Sequence, residues 1–249
     1  MYGEFAAVYD RLMQEVDYPA WAAHYQGMLA QRGVAAGSRV LEAACGTGNL
    51  TIHLARHYQL LPGDQSPEML SVAALKARNA GLTLPFVRQD MRNLSAHRPA
   101  QAVVCGCDGV NYLLTKADLR RFLKSAWEVL APGGVIAFDI SSFHKLSQVL
   151  GHNTLGMKEE DICYLWRNAW QAGSRRLSMA LSIFVKTPDG LWRLIEETQT
   201  QRAWLQEEVE EALEEAGFES AACYGDMTLG QPAKNARRLH FCATKPQEG

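Results

Sequence analysis

Two glycines follow an acidic residue at the end of a hydrophobic run, in the segment Val40-Leu-Glu-Ala-Ala-Cys-Gly-Thr-Gly48. Gly46 and Gly48 lack a Cβ atom, so they permit a tight turn and a close approach of a ligand to the main chain. A helix that begins after such a turn presents free N–H groups and the positive end of its dipole. The segment therefore predicts a nucleotide-like ligand at the carboxyl end of a strand.

The acid at Glu42 helps to choose the ligand. A P-loop requires Gly-Lys-Ser/Thr after the glycines, and this chain lacks it. A dinucleotide fingerprint requires glycine or alanine at its third small-residue position, where this chain has Thr51. A carboxylate repels a pyrophosphate but attracts an ammonium group. S-adenosylmethionine carries an ammonium, a sulfonium and a ribose but no phosphate, so the segment favours this cofactor over NAD.

The same segment resembles motif I of the class I S-adenosylmethionine-dependent methyltransferases, with Ala44 where the family usually has glycine. Gly63-Asp-Gln-Ser-Pro-Glu-Met-Leu70 is similar to the second acidic strand end of that family. The resemblance implies that Asp64 binds both ribose hydroxyls. It also implies that Met69 packs beside the adenosine, a role suited to a polarisable thioether.

Two later segments resemble further motifs of the family in the expected order. Gln89-Asp-Met91 is similar to the adenine-edge motif, in which Asp90 would accept a hydrogen bond from the exocyclic amine and the Met91 N–H would donate to the ring. Cys105-Gly-Cys-Asp-Gly-Val-Asn-Tyr112 ends the fourth strand, where the family places residues that flank the sulfonium. The predicted cofactor-binding residues are Tyr9, Glu42, Ala44, Cys45, Gly46, Gly48, Asp64, Gln65, Met69, Asp90, Met91, Cys107, Asp108 and Tyr112.

A narrower resemblance includes the N-terminal segment Phe5-Ala-Ala-Val-Tyr-Asp10, the segment Asp108–Tyr112 and a β-rich insertion. These features are similar to small stand-alone bacterial methyltransferases that are related in build to glycine N-methyltransferases. The resemblance implies that an N-terminal helix closes over the cofactor and that Tyr9 lies near its carboxylate end. Tyr2 is a second candidate for that position.

A small-molecule methyl acceptor is expected between the strand ends, the N-terminal helices and the insertion. The candidate lining residues are Asn111, Tyr112, Phe143, His144, Trp166, Trp192 and Arg202. His144 is the candidate general base, which is required only if the nucleophile arrives protonated. Trp166 and Trp192 also suit a hydrophobic core, and Arg202 could pair with Glu196 or Glu197 on its own strand. The sequence leaves nitrogen, oxygen and carbon acceptors open.

Strands alternate with helices through the centre of the chain, which predicts a parallel sheet covered on both faces. The predicted strands are Arg39–Ala43, Gln59–Pro62, Leu84–Arg88, Ala102–Cys105 and Val135–Ile140. The predicted helices between them are Leu50–Tyr58, Pro67–Asn79 and Lys116–Leu130. Later elements are a helix at Glu207–Ala216 and strands at Ala221–Tyr224 and Leu239–Thr244.

The alternation breaks between Asp161 and Trp204, where three successive β-rich runs predict an antiparallel insertion. These runs are Tyr164–Trp170, Leu177–Val185 and Trp192–Gln201. Thr187-Pro-Asp-Gly190 is a hairpin turn signal. The predicted fold is α/β, a doubly wound Rossmann-like seven-stranded sheet of the class I methyltransferase type. We expect a helical cap at 1–37, the cofactor-binding domain at 38–140 and 205–249, and the insertion at 141–204 as an acceptor-side lid.

Composition disfavours several other classes of protein. The 249 residues include 25 Lys and Arg against 27 Asp and Glu, a formal charge of −2, which gives no electrostatic reason to expect nucleic acid. The 6 cysteines lack the paired spacing of a zinc site and suggest reduced thiols. No signal-peptide pattern or membrane-spanning apolar run is evident. We therefore expect a cytoplasmic enzyme without a metal ion, and the sequence leaves its oligomeric state open.

Alternative functions follow from the same motifs. A nicotinamide-dependent oxidoreductase would use a related sheet, although Glu42 and Thr51 argue against it. A sensor or partner protein would keep the cofactor pocket without catalysis, an alternative supported by the lack of a compelling general base. An RNA methyltransferase would need a basic surface or an added RNA-binding module.

Overall fold

The computed structural model describes the backbone of residues 3–247 and the side chains of residues 5–247. Its main element is a seven-stranded sheet in the order β10-β11-β5-β4-β1-β2-β3. Five neighbouring strands run parallel to one another, namely β5, β4, β1, β2 and β3, whereas β11 is antiparallel to both β5 and β10. The strands are β1 Arg39–Ala43, β2 Gln59–Asp64, β3 Val87–Arg88, β4 Ala100–Cys105, β5 Leu130–Ser141, β10 Glu219–Gly225 and β11 Arg238–Thr244. This order confirms the predicted doubly wound fold.

Helices flank the sheet at positions set by clear end signals. The helices are α1 Gly3–Leu12, α2 Tyr18–Ala30, α3 Thr51–Leu54, α4 Pro67–Asn79, α5 Lys116–Val129 and α6 Gln206–Glu215. Ser66 caps α4 by accepting a 3.2 Å hydrogen bond from the Met69 N–H. Thr115 caps α5 in the same way through the Asp118 N–H, at 3.0 Å. These caps satisfy backbone donors that a helix start leaves free.

The insertion forms a second, four-stranded antiparallel sheet in the order β6-β7-β8-β9. Its strands are β6 Thr154–Lys158, β7 Ile162–Gln171, β8 Arg176–Lys186 and β9 Trp192–Arg202. Gly190 has φ 84° in the turn between β8 and β9, as the hairpin signal predicted. β6 is an additional strand that the sequence interpretation did not include.

The buried side chains form three hydrophobic clusters. Two lie on opposite faces of the seven-stranded sheet, and the third joins α1 to the inner face of the insertion sheet. Phe5 and Val8 of α1 pack in this third cluster with Ile183 of β8 and Met69 of α4. The insertion therefore holds α1 against the cofactor-binding side of the main sheet.

Local differences from the predicted elements concern their lengths. β3 has only Val87 and Arg88, and α3 has four residues instead of the longer helix predicted at Leu50–Tyr58. β5 begins at Leu130 instead of the predicted Val135, so it includes the segment Pro132-Gly133-Gly134. Among the described residues, no helix is long and apolar enough to cross a membrane.

Candidate functional site

β1 and β4 are parallel neighbours, and the strand order reverses between them, because β2 and β3 follow on one side of β1, and β4 and β5 on the other. The carboxyl ends of these two strands are therefore a switch point of the sheet. The glycine turn leaves β1 at this point. Ala44 and Gly46 have φ values of 54° and 55°, and Gly48 has φ 78°. A Cβ atom on Gly46 would meet nothing within 4 Å, whereas one on Gly48 would lie 3.0 Å from Ala73 Cβ. Gly46 therefore opens onto free space, and Gly48 permits close packing on α4.

Glu42 is a buried acid without a complete set of partners. Its side chain lies next to the turn, the residue is 2% exposed, and Oε2 has no hydrogen-bond partner among the described residues. Burial raises the pKa of Glu42 to about 8, and the nearby Asp64 carboxylate adds to the rise while the Thr51 hydroxyl opposes it. A cation that reached Oε2 would favour the ionised carboxylate.

Asp64 ends β2 beside the same turn. Its Oδ2 accepts a hydrogen bond from the Gly46 N–H at 2.9 Å, and its Oδ1 accepts one from the Ser66 N–H at 2.9 Å. These bonds fix the carboxylate at the edge of the cavity and lower its pKa, but burial is the larger effect and raises it overall. A fixed acceptor pair of this kind suits a diol.

A cavity of about 250 Å³ lies between these acids, the cap helices and the strand ends. The seven-stranded sheet supplies its floor, α1 and α2 supply Phe5, Tyr9 and Tyr18, and β9 supplies Gln199. The predicted cofactor residues that line it are Tyr9, Glu42, Ala44, Cys45, Gly46, Asp64, Gln65, Met69, Asp90, Met91, Cys107 and Tyr112. Gly48 and Asp108 do not line it, although both were predicted to bind cofactor.

A polar cluster fastens α1 to the glycine turn. Asp10 Oδ1 accepts hydrogen bonds from Thr47 Oγ1 at 2.6 Å and from Asn49 Nδ2 at 2.9 Å. Its Oδ2 forms a 2.6 Å ion pair with Lys76 of α4, which also donates to Asn49. The cluster therefore joins the helix that carries Tyr9 to the turn that follows β1.

Asp90 differs from the acceptor that the adenine-edge motif implies. Both of its oxygens accept hydrogen bonds from the Arg92 guanidinium, at 2.6–3.0 Å, and Arg92 also binds Asp118 at 2.9 Å. The bonds from Arg92 hold the pKa of Asp90 below its usual range. Asp90 borders the cavity and is paired with an arginine of its own segment, and its contact with the adenine amine stays a prediction.

Asp108 belongs to a buried charge network behind the cavity. Its carboxylate accepts hydrogen bonds from Arg238 at 2.9 Å and from Gln201 at 2.6 Å, and Arg238 also binds Asp139. Tyr25 donates to Asp139 at 2.7 Å. The prediction that Asp108 contacts the cofactor is not supported by this position, because its oxygens face the network.

Two of the predicted acceptor residues have structural contacts instead. Asn111 is fully buried, and its Oδ1 accepts a hydrogen bond from the Ser141 N–H at 2.8 Å. Its Nδ2 donates to the carbonyls of Ser141 and Arg202. The Arg202 side chain lies 3.4 Å from a Glu208 oxygen and stacks over Trp204, so it pairs with Glu208 of α6 and not with the predicted Glu196 or Glu197. Neither side chain lines the cavity.

The other predicted acceptor residues also lie outside the cavity lining, except Tyr112. Trp166 faces the inner side of the insertion sheet and donates to Asn168 at 2.7 Å. Trp192 is 45% exposed at the far end of β9. Phe143 packs edge-on against Trp170, and His144 immediately precedes a short π-helix after β5. Their sequence positions suited an acceptor site, but none of these four side chains lines the cavity.

Sequence reasoning missed several residues that line the cavity. These residues are Phe5, Tyr18, Thr47, Asn49, Leu50, Gln89, Arg92, Gly106, Gly109, Leu113, Asp118 and Gln199. Tyr18 belongs to no motif, whereas Thr47 and Asn49 lie within or next to the glycine motif. Gln199 had no local signal, because a contact between β9 and the main sheet depends on long-range packing. Tyr2 lies outside the described residues.

Three phenol groups surround the part of the cavity near Cys107. Tyr9 and Tyr18 come from the cap helices, and Tyr112 donates a 2.7 Å hydrogen bond to Gln199 Oε1. Burial raises the pKa of Tyr9 well above 10 and that of Tyr18 to about 12. Burial likewise raises the pKa of the Cys107 thiol. These groups keep their protons at neutral pH, so they position partners by hydrogen bonds.

The site contains what S-adenosylmethionine requires: an orphaned buried carboxylate, an acceptor pair fixed by main-chain N–H groups, and open space over Gly46. The fold and the cavity together have the form of the class I methyltransferases. A family model described as a methyltransferase domain matches residues 40–134. YqeM of Bacillus subtilis (strain 168), named as a methyltransferase, is 37% identical over 249 residues, with 98% of this chain and 97% of that protein covered.

Solved structures agree with that match. The crystal structure of an S-adenosylmethionine-dependent methyltransferase from Clostridium acetobutylicum ATCC 824 is 30% identical, covers 98% of both chains and superposes with a TM-score of 0.88. The S-adenosylmethionine-bound structure of CalS10, an amino pentose methyltransferase from Micromonospora echinaspora, is 25% identical, covers 98% of both chains and has a TM-score of 0.74. This chain belongs to the family of S-adenosylmethionine-dependent methyltransferases. The NAD alternative is therefore set aside.

Proposed function

We propose that the cavity binds S-adenosylmethionine through Glu42 and Asp64 and that the enzyme transfers its methyl group to a small-molecule acceptor. Glu42 Oε2 receives the ammonium group, directly or through a water molecule. The Asp64 carboxylate receives the ribose hydroxyls, since its position is fixed by the Gly46 and Ser66 N–H groups. Met69 and Met91 line the same cavity and suit the adenosine.

A single observation carries this proposal. Glu42 is 2% exposed, borders the cavity and leaves one carboxylate oxygen without a partner among the described residues. A buried charge without a partner is unfavourable, so such groups occur where a ligand supplies the missing interaction. The ammonium of the cofactor has the required sign and size.

The protein contributes position and shielding to the reaction. The bound cofactor supplies an already activated methyl group on a sulfonium. Tyr9, Tyr18 and Tyr112 border the space near Cys107, where their hydroxyls can orient an acceptor and exclude water. Positioning of two reactants contributes on the order of 7–11 kcal/mol in favourable intramolecular systems. A nucleophile that arrives with its lone pair already free needs no base. His144, the predicted base, does not line the cavity, so the proposal assigns it no proton transfer.

The parts of the chain take different roles in this proposal. Residues 1–37 form the cap, residues 38–140 and 205–249 bind the cofactor, and the insertion at 141–204 supports the cap as the lid on the acceptor side. The amino pentose named for CalS10 supports a small acceptor in this architecture. All six cysteines are free thiols, which supports the cytoplasm as the site of action.

Calorimetric titration tests the cofactor assignment. S-adenosylmethionine and S-adenosylhomocysteine should both bind the purified protein, and Asp64→Ala should weaken binding about ten-fold or more because the ribose loses its charge-assisted bonds. The matched control is Asp226→Ala, because Asp226 is an exposed acid in the connection between β10 and β11 that does not line the cavity. Its carboxylate accepts hydrogen bonds from the Arg237 and Arg238 main-chain N–H groups. Unchanged affinity in folded Asp64→Ala would refute the ribose assignment.

A further inference from the structure

Three residues after β4 line the cavity in an unusual backbone conformation. We call residues 106–108 the β4 loop, which joins β4 to a short 3-10 helix at Gly109–Tyr112. Gly106 and Cys107 line the cavity. Cys107 and Asp108 have φ values of 55° and 54°, so two successive residues with side chains are left-handed. That conformation is unfavourable for residues other than glycine and persists where surrounding groups hold it. The β4 loop therefore requires a restraint.

The restraint comes from the neighbouring strands β5 and β11. The Asp108 N–H donates a 2.9 Å hydrogen bond to Oδ2 of Asp139, an acid of β5 whose side chain is fully buried. Arg238, the first residue of β11, uses one nitrogen, Nη1, to bind both acids, at 2.9 Å from Asp108 Oδ1. The main chain and the side chain of Asp108 are therefore both tied to the sheet.

Arg238 is itself held in place by α2. Its guanidinium carbon lies 4.7 Å from the ring centroid of Trp21, a cation–π contact. Trp21 belongs to the same helix as Tyr18, which lines the cavity. The Arg238 side chain is only 15% exposed, so water and salt screen its ion pairs less than they would at the surface. One side chain thus joins the β4 loop, β11 and the cap helix α2.

The charge of Arg238 also balances the two acids. Burial acts to raise the pKa of Asp108, but the charges of Arg238 and Lys145 and a 2.6 Å hydrogen bond from Gln201 lower it overall. The pKa of Asp139 is raised, because burial raises it more than the Arg238 charge lowers it. Without Arg238, the two carboxylates would lie close together with no cation bound to both, which favours movement of the β4 loop.

We propose that Arg238 is a positioning residue for methyl transfer, because it holds the β4 loop in the left-handed form that lines the cavity. This role rests on the proposed binding of S-adenosylmethionine. Arg238 does not line the cavity, so it acts through Asp108 and not by contact with the cofactor. The β4 loop lies where the sulfonium is expected, whereas Asp64 and Met69 are assigned to the adenosine. Loss of Arg238 should therefore affect the homocysteine part of a ligand and leave the adenosine part unchanged.

Calorimetry with two ligands tests this division. Arg238→Met should weaken the binding of S-adenosylhomocysteine about ten-fold or more, since charge-assisted hydrogen bonds hold the loop. The affinity of adenosine, measured by competition with S-adenosylhomocysteine, should stay unchanged. A general loss of structure would weaken both ligands, so the difference between them identifies a positioning role.

Lys245→Met is the matched control. Lys245 is also a cation with little exposure, 3.8 Å from the ring centroid of Trp127, and it donates to the carbonyls of Trp127 and Leu130. It follows the last residue of β11, at the opposite end of that strand from Arg238. Lys245→Met should lower the free energy of unfolding, because it leaves two carbonyls without their donor, and should keep the affinity for S-adenosylhomocysteine.

Arg238→Lys tests the contact that carries the restraint. A single nitrogen of Arg238 binds both acids, so an ammonium group can take its place, and Arg238→Lys should recover part of the lost affinity. Hydrogen exchange in the cofactor-free protein should be faster at the Asp108 N–H in Arg238→Met than in the wild type or Lys245→Met. Exchange needs no ligand. A wild type that binds neither ligand would refute the proposed cofactor, and the exchange rates would still decide whether Arg238 restrains the loop.

Gln201→Met provides a second variant in case Arg238→Met does not fold. It removes one hydrogen bond to Asp108 and no charge, so it should weaken S-adenosylhomocysteine roughly three-fold. Unchanged affinity for S-adenosylhomocysteine in folded Arg238→Met or Gln201→Met would overturn the positioning role. An equal loss for adenosine, an equal loss in Lys245→Met, no recovery in Arg238→Lys, or wild-type exchange at Asp108 in Arg238→Met would overturn it as well.

Discussion

Two residues at the end of β1 break ordinary rules of protein structure. Glu42 buries a carboxylate with an unpartnered oxygen, and Ala44 has φ 54°, a left-handed conformation that favours glycine. Such exceptions occur where function requires them. The sequence predicted the importance of Glu42 from its place before the glycines. It could not predict the complete burial that raises its pKa, because burial depends on how other elements pack around the end of β1.

The pKa of Glu42 makes stability depend on pH in a defined direction. This pKa rises from 4.5 to about 8 on folding. Between these values the native protein binds more protons than the unfolded protein, so the free energy of unfolding falls as pH increases through this window. The slope reaches at most ~1.4 kcal/mol per pH unit. Glu42→Gln should remove this contribution and become more stable than the wild type near pH 8.

Urea unfolding of the cofactor-free protein across this pH range provides the measurement. Glu214→Gln, which changes an exposed carboxylate on α6, is the control and should keep the wild-type slope. Addition of S-adenosylmethionine should reverse the trend in the wild type, since its ammonium favours the ionised form. A Glu42→Gln protein that loses stability toward pH 8 as steeply as the wild type would contradict this account.

Relief of strain at Ala44 is a second expectation at the residue scale. Ala44→Gly should raise the free energy of unfolding by about 1 kcal/mol, because glycine adopts positive φ without the Cβ penalty. Ala43→Gly, one residue earlier within β1, should instead lower it by roughly 0.5–1 kcal/mol. Urea midpoints measure both changes. Similar destabilisation by the two substitutions would show that the backbone at Ala44 is unstrained.

The predicted bounds are most accurate for elements whose ends are marked by local sequence signals. β1 and α4 have the predicted bounds, since a hydrophobic run, a Ser-Pro cap and a following glycine mark them. β6 was missed because Thr154–Lys158 is short, includes Gly156 and becomes a strand only by pairing with β7. The N-terminal helix was predicted as a cap. Its attachment through Asp10 was not predicted, because the partners come from two other elements.

The attachment of α1 should control cofactor release. Asp10→Asn removes the ion pair with Lys76 and weakens the hydrogen bonds that residue 10 accepts from Thr47 and Asn49. Because α1 carries Tyr9 over the cavity, the dissociation rate of S-adenosylhomocysteine should rise roughly three- to ten-fold, which corresponds to the loss of about one hydrogen-bond equivalent. Stopped-flow displacement measures this rate.

Asp17→Asn is the control for that experiment. Asp17 caps α2 by accepting from the Ala20 N–H, and asparagine caps helices equally well, so the rate should not change. Lys76→Met should reproduce the effect of Asp10→Asn. Unchanged dissociation in both Asp10→Asn and Lys76→Met would show that α1 does not limit release.

At the scale of the whole molecule, the cofactor half of the site follows from one continuous βαβ pattern, whereas the acceptor half depends on how the insertion packs. Trp166, Trp192 and Arg202 were sensible candidates by residue type, yet the insertion sheet presents only Gln199 to the cavity. Local periodicity shows which side chains of a strand share a face. It does not show whether that face points toward the cavity, because this depends on pairing between distant segments. The insertion acts on the cavity mainly through α1.

This arrangement predicts that damage to the third hydrophobic cluster reaches the cofactor site. Ile183 of β8 is fully buried among residues of α1 and α4. Ile183→Ala should cost about 2–5 kcal/mol of packing there. Leu123→Ala should cost a similar amount in the cluster beneath α5.

Only Ile183→Ala should weaken the binding of S-adenosylhomocysteine to the folded protein several-fold, because it lowers the fraction of molecules in which α1 is closed over the cavity. Urea unfolding and calorimetry separate the two effects, and equal affinities in the two variants would show that the insertion and the cofactor site are uncoupled.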